Sequence, residues 1–260
     1  MAAQTLLNLI SNISAGSIRI VDLTQPLHEH TPLLEIPPEF GQSWPFKVEE
    51  ISKYDDRGPG WYWNNFSCGE HTGTHFDVPI HWISGKDHEH NATDTVPTDA
   101  FIGAACVIDA VADCRANADF LVSVEYLKQW EAQYGKIPAN SWVLFRTDWS
   151  KKYPSEEFLN NAEDGSHTPG WEPDAIRFLA EERDIKGAGV ETVGTDAGQS
   201  FAQDPQFPCH NLMHGANKYG LAALCNLDQL PATGAVVIAA PLKIENGSGS
   251  PCRALALIST

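Results

Sequence analysis

Positive charge is scarce in this sequence. Its 17 lysines and arginines face 34 aspartates and glutamates, for a formal net charge of −17 and a pI near 4.8. A nucleic-acid backbone or an anionic membrane would be repelled over most of such a surface, so neither is expected as a partner. No stretch approaches the roughly 20 consecutive apolar residues that span a bilayer. Met1 to Ile13 contains no basic residue and no A-x-A site, so a secretory signal is not expected there. The six cysteines include no C-x-x-C pair, which points to free thiols and a cytoplasmic protein. No G-x-S-x-G elbow and no G-x-x-x-x-G-K-[ST] loop occurs, and this lowers serine-hydrolase and nucleotide-binding readings. Internal repeats, long low-complexity tracts and shifts of composition are absent, so residues 1–260 are read as one domain.

What is present is a globular composition, 42% hydrophobic and 20% charged in 260 residues, enough for a sizeable core. Strand patterns occur at Ser17 to Leu23, Trp61 to Cys68, Ala104 to Ala110, Ser141 to Thr147, Gly189 to Gly194, Ala235 to Ala240 and Arg253 to Ile258. Ser123 caps an expected helix to about Tyr134, with Val124, Leu127 and Trp130 on one face and Gly135 as its stop. Pro173 suits the first turn of a second helix whose inner face carries Ile176, Leu179 and Ala180. Leu27 to Pro45 is too rich in proline for a helix or a central strand, and Asn246 to Pro251 reads as a loop. Strands outnumber helices and are interspersed with them, so the expected class is α/β or α+β around a mixed sheet.

The informative segment is His71-Thr-Gly-Thr-His75-Phe-Asp77-Val-Pro-Ile-His81-Trp82, with three histidines and an aspartate in eleven positions. Gly73 and Pro79 argue against a regular helix. In an extended chain His75, Asp77 and His81 share one side, and a turn at Thr72-Gly73 brings His71 back toward them. Imidazole nitrogens with one carboxylate suit Zn, Mn or Fe(II). Two histidines and one aspartate leave coordination positions open, as a catalytic ion requires. Thr72 and Thr74 have two readings, as supports of the ligands or as partners of nearby backbone.

Other residues carry weaker signals. His28, His30, His88 and His90 lie in polar or proline-rich stretches and are read as solvated. His210 and His214 are four apart, on one face of any helix there, as a second metal pair, a catalytic group or structural histidines. Trp61, Trp63 and Trp82 are close in sequence to the cluster and suit either an aryl pocket or the core. Cys209 beside His210 is the candidate for a cysteine-nucleophile alternative. A non-enzymatic metal-binding module is a third reading.

The segment HTGTHFDVPIH resembles the H-x-G-T-H-x-D-x-P-x-H signature of the cyclase family of metal hydrolases. Val21 to Leu27 (VDLTQPL), Phe207-Pro208-Cys209-His210 and Asn226 to Leu230 (NLDQL) are similar to three further segments of that family, so the resemblance runs from about residue 20 to the end. It implies a mixed α/β fold on a twisted, barrel-like sheet with flanking helices, commonly a homodimer. It implies His71, His75 and Asp77 as metal ligands and His81 as catalytic acid/base. His210 matches a second-metal ligand of the two-zinc formamidases, but Ala222 stands where their glutamate completes that site. One metal is therefore expected, with His210 and Trp82 left to bind substrate. The longer matches HTGTHFDVPIHWISGKD and CNLDQLPATGAVVIAAPLKIENGSGSP resemble most the members that open the cyclic amide of isatin. That resemblance favours Mn(II), with Zn(II) as the alternative, and a small aromatic amide as substrate; hydrolysis of N-formylkynurenine is the alternative activity.

Overall fold

The computed structural model describes residues 2–260. The described residues form fifteen strands: β1 (Ile18–Asp22), β2 (Lys47–Asp55), β3 (Gly58–Ser67), β4 (His75–Asp77), β5 (Ile102–Asp109), β6 (Leu121–Val122), β7 (Trp142–Arg146), β8 (Asn161–Ala162), β9 (Gly165–Ser166), β10 (Gly170–Trp171), β11 (Gly187–Val190), β12 (Tyr219–Ala222), β13 (Thr233–Ile238), β14 (Gly249–Pro251) and β15 (Leu255–Ser259). The α-helices are α1 (Ala2–Ser14), α2 (Val111–Ala116), α3 (Val124–Tyr134) and α4 (Pro173–Arg177), the last continuing as a wide π-helical turn over Phe178–Glu182.

Nine strands form one mixed, curled half-barrel sheet in the order β1-β15-β13-β5-β7-β11-β12-β4-β14. The central pairs β5/β7, β7/β11 and β11/β12 are parallel, and the pairs on either side are antiparallel. β7 shows why the centre reads as an unbroken apolar run. Trp142 and Leu144 point into one buried cluster with Phe76, Leu221 and Val237. Val143 and Phe145 point into another with Leu127, Trp130, Ile176 and Leu179. A strand covered on both faces needs apolar residues at every position. Residues of α3 and α4 belong to the second cluster, so the helical layer covers that face.

Ser123 caps α3 by accepting from the Tyr126 N–H at 3.2 Å, and Gly135 ends it at φ +96°. Pro173 opens α4, and Ile176, Leu179 and Ala180 are buried. Leu27 to Pro45 contains only a short 3-10 turn at Pro38–Phe40.

Three expectations need correction, the first being the loop expected from Asn246 to Pro251, whose last three residues form strand β14 against β4. The strand placed at Gly189 to Gly194 is shifted: β11 ends at Val190, and Glu191 leaves the ladder to accept bonds from the Thr147 N–H and the Ser150 hydroxyl, both at 2.7 Å. Trp61 and Trp63 are neither core nor part of the histidine cluster. They stand exposed on the β2–β3 hairpin, edge-to-face with each other. β2 was not expected because KVEEISKYD is mostly charged and polar and buries little more than Ser52. Helix α1 is a further element without a sequence expectation. Among the described residues no helix is long and apolar enough to cross a membrane.

The layer of α3 and α4 is tied by a forked ion pair. Arg183 donates from Nε to Glu131 Oε1 at 2.6 Å and from Nη2 to Oε2 at 2.8 Å. These bonds, outweighing burial, hold the Glu131 carboxyl below its ordinary value. A depressed folded-state pKa contributes stability that is fully present above the unfolded value and is lost as pH falls through the folded one. Glu131→Gln is therefore expected to be less stable than wild type at pH 7, with the gap closing as pH falls below about 4.3. Urea midpoints of both proteins across that range measure it. A gap that does not change with pH would contradict the assignment.

Candidate metal centre and active site

The site is built on β4, which runs between β12 and β14. Asp77 lies opposite Gly220 on one side and Gly249 on the other. A Cβ at 220 would sit 2.9 Å from Asp77 Oδ2, and one at 249 would sit 2.5 Å from His71 Cε1. The two neighbouring strands are thus bare where β4 carries its polar side chains. Strand alternation puts His75 and Asp77 on one face and Phe76 into the core on the other, as expected. Gly73, at φ +62°, makes the turn that returns His71, and a side chain there would strike Leu27.

His81 arrives by a different route from the one read in the sequence. Pro79–His81 is a turn of 3-10 helix, not extended chain, and it swings the His81 ring onto His71 with centroids 3.7 Å apart. The donor atoms of His71, Asp77 and His81 all lie within 4.8 Å of one another, and so do those of Asp77, His210 and His214. Both groups share Asp77. His71 Nδ1 is 2.7 Å and His75 Nε2 3.3 Å from Asp77 Oδ1.

Tautomers follow from the partners, because a carbonyl oxygen only accepts. His75 Nδ1 donates to the Gly73 carbonyl at 2.7 Å, and His214 Nδ1 donates to the Lys218 carbonyl at 3.1 Å. In each neutral ring the Nε2 lone pair is left for the site. His210 Nδ1 bonds Asp196 Oδ2 at 2.5 Å, and the same carboxylate accepts the Cys209 and His210 backbone N–H groups. Neither ring nitrogen of His81 has a hydrogen-bond partner among the described residues, and Asp77 Oδ2 is buried without one.

Electrostatics sharpen the picture. Burial opposes ionisation of Asp77, but His75, His71 and His81 together outweigh it and hold its carboxyl well below the usual range. Burial pushes His81 down to about 2, and His214 to about 4, with neighbouring histidines adding to the effect. His81 is therefore not near the ordinary imidazole value. Burial also lowers His75. His210 is raised, because its bond to Asp196 and the charge of that group overcome burial. Burial drives the Cys209 thiol well above its ordinary value, with Asp196 and Asp77 adding to it. A buried thiol of that kind is a poor nucleophile, which counts against the cysteine alternative.

These features fit a divalent cation. The neutral His75 ring turns a lone pair toward a carboxylate oxygen at 3.3 Å, an acceptor-to-acceptor contact that a cation relieves. The orphaned Asp77 Oδ2 is a second free acceptor.

Residues 21–197 match the family described as putative cyclase. The chain belongs to the cyclase family. It is 48% identical over 261 residues to the isatin hydrolase of Roseibium aggregatum, covering 99% of both chains. An isatin hydrolase crystal structure with the product analogue thioisatinate matches it with a TM-score of 0.97, 46% identity and full coverage of both chains. The kynurenine formamidase of Salinibacter ruber is 33% identical over 186 residues, 71% of this chain and 74% of that one.

In this cyclase-family site, the residues singled out from sequence (His71, His75, Asp77, His81, Trp82 and His210) all come together. The Trp82 ring lies 4.9 Å from His210 and 5.3 Å from Phe207. Two members carried no clear sequence signal. His214 joins through its i, i+4 relation to His210, a spacing equally common in structural histidines. Asp196, fourteen residues from His210, offered no signal. His28, His30, His88 and His90 remain outside the cluster.

Thr74 supports the backbone beneath the site. Its hydroxyl accepts from the Gln25 N–H at 2.9 Å and donates to the Ala223 carbonyl at 2.6 Å. Thr74→Val keeps the shape and strands both groups, so it is expected to cost about 1–3 kcal/mol in urea unfolding. An unchanged midpoint would show that other partners take over.

Proposed function

We propose that this protein hydrolyses the cyclic amide of isatin to isatinate with one divalent metal ion held by His71, His75 and Asp77. The observation that carries the reading is the buried Asp77 carboxylate, with one oxygen unpartnered and imidazole rings around it, in a chain similar end to end to an isatin hydrolase. Mn(II) is favoured and Zn(II) is the alternative. One ion is proposed because both donor groups need Asp77, and Ala222, buried opposite His75, offers no ligand.

The ion, when bound, supplies Lewis-acid polarisation of the substrate carbonyl and lowers the pKa of water. The chain's own residues do the rest. Trp82, flanked by Phe207 and His210, presents an aromatic wall for the fused ring. His81, kept neutral by burial and with both ring nitrogens unengaged, accepts a proton from the attacking water, and the Asp77 charge beside it favours the imidazolium so formed. That proton passes to the ring nitrogen as the C–N bond breaks, giving an aniline and a carboxylate. His210, held by Asp196, hydrogen-bonds the substrate.

A second reading is supported by the similarity to a kynurenine formamidase: the same groups would hydrolyse N-formylkynurenine, also an aryl amide. Comparing kcat/KM on the two compounds decides between them. Faster turnover of isatin is expected, and the reverse ratio would replace the substrate. His81→Ala is expected to lower kcat about 10²–10⁴-fold with bound metal unchanged. Metal lost in parallel with activity would make His81 a ligand.

The six cysteines are free thiols, which supports a cytoplasmic setting. Exposed Leu6, Leu7 and Ile10 on α1, and Trp61, Trp63 and Phe66 on β3, support a homodimer.

A further inference from the structure

Segment 246–249, within the stretch the sequence marks as a loop, runs into β14 and reaches the candidate metal site from the far end of the chain. Ser248 Oγ lies 2.9 Å from His71 Nε2 and 2.5 Å from Glu70 Oε2. The Ser248 N–H also donates to Glu70 Oε2, at 3.2 Å, and its carbonyl accepts from the Val78 N–H at 3.2 Å. Glycines on both sides make this approach possible. A Cβ at 247 would lie 3.2 Å from Glu70 Oε1, and one at 249 would lie 3.0 Å from His71 Nδ1. Thr93 holds the loop from outside, its N–H donating to the Gly247 carbonyl at 3.0 Å.

Counting protons along this chain of groups fixes the imidazole. A carboxylate only accepts, so the single Ser248 hydroxyl proton goes to Glu70. Ser248 then shows His71 only a lone pair, and His71 Nε2 must donate. In the neutral ring this leaves the Nδ1 lone pair aimed at Asp77 Oδ1, 2.7 Å away. Two acceptors at that distance repel each other, and a cation bound to both relieves the contact.

We propose that Glu70 and Ser248 are positioning residues. They keep the proton of His71 on Nε2, so that Nδ1 is presented to the metal beside Asp77. This rests on the reading that His71 and Asp77 hold a divalent ion. Such outer partners of a ligating histidine typically change metal affinity by about 10–100-fold. Without the Ser248 acceptor, nothing opposes the tautomer in which Nδ1–H donates to Asp77 Oδ1 and closes the position to a metal.

The test is Zn(II) affinity, by competition with a chromophoric chelator, for wild type, Ser248→Ala and Ser248→Thr, with 1H–15N spectra of the histidine side chains in zinc-loaded wild type. Ser248→Ala is expected to bind Zn(II) about 10–100-fold more weakly, and Ser248→Thr, which keeps the hydroxyl, to stay near wild type. The wild-type spectrum should show His71 protonated on Nε2, with that proton protected from exchange. An alanine variant that binds as tightly as wild type, or a His71 protonated on Nδ1, overturns the relay and leaves the metal reading standing. A wild-type protein that binds no Zn(II) overturns both.

Discussion

A carboxylate with 1% of its side chain exposed is the constraint around which this structure is arranged. Asp77 closes a three-residue strand, with glycine opposite on both neighbouring strands. Burying a charge is costly unless it is paired, and here the pairing is done by imidazoles and by space for a cation. The short β4, the bare strands beside it and the turn at Gly73 all serve to bring nitrogen donors to one oxygen. The sheet supplies rigidity: β12 continues through β11 and β7 into a centre packed on both faces. Side chains mounted on such a frame hold their geometry better than side chains on a free loop.

Different outer partners give the histidines different tasks. His75 and His214 are each fixed by a backbone carbonyl, His210 by Asp196, and His71 by Ser248. Of the site histidines, His81 is the one left with both ring nitrogens unengaged among the described residues. A ring that is locked at one nitrogen is suited to holding a ligand or a substrate. One with no such lock is suited to accepting and passing on a proton.

Much of the site was legible in the sequence because its core is local. His71, His75 and Asp77 lie within seven residues, and strand alternation with one turn is enough to converge them. His81 was found for a reason that proved incomplete, since a 3-10 turn and not alternation delivers it. What stayed hidden is what depends on distant pairing. Ser248 is 177 residues from His71, and only the β14–β4 register brings it there. Asp196 meets His210 through a loop with no periodic pattern. In the fold, the doubly buried β7 and the capped α3 were plain from composition and capping. β2 was not, because an exposed hairpin strand of alternating charge has no apolar face to reveal it, and α1 leaves its leucines in solvent.

The most direct test of the account is metal reconstitution. Chelated protein is given Mn(II) or Zn(II), and isatin is followed by the loss of its visible absorbance, alongside Asp77→Asn treated in the same way. The account predicts no turnover without metal, restoration by the added ion in wild type, and neither bound metal nor turnover in Asp77→Asn. Full isatin hydrolysis by chelated protein, or by Asp77→Asn, would contradict it.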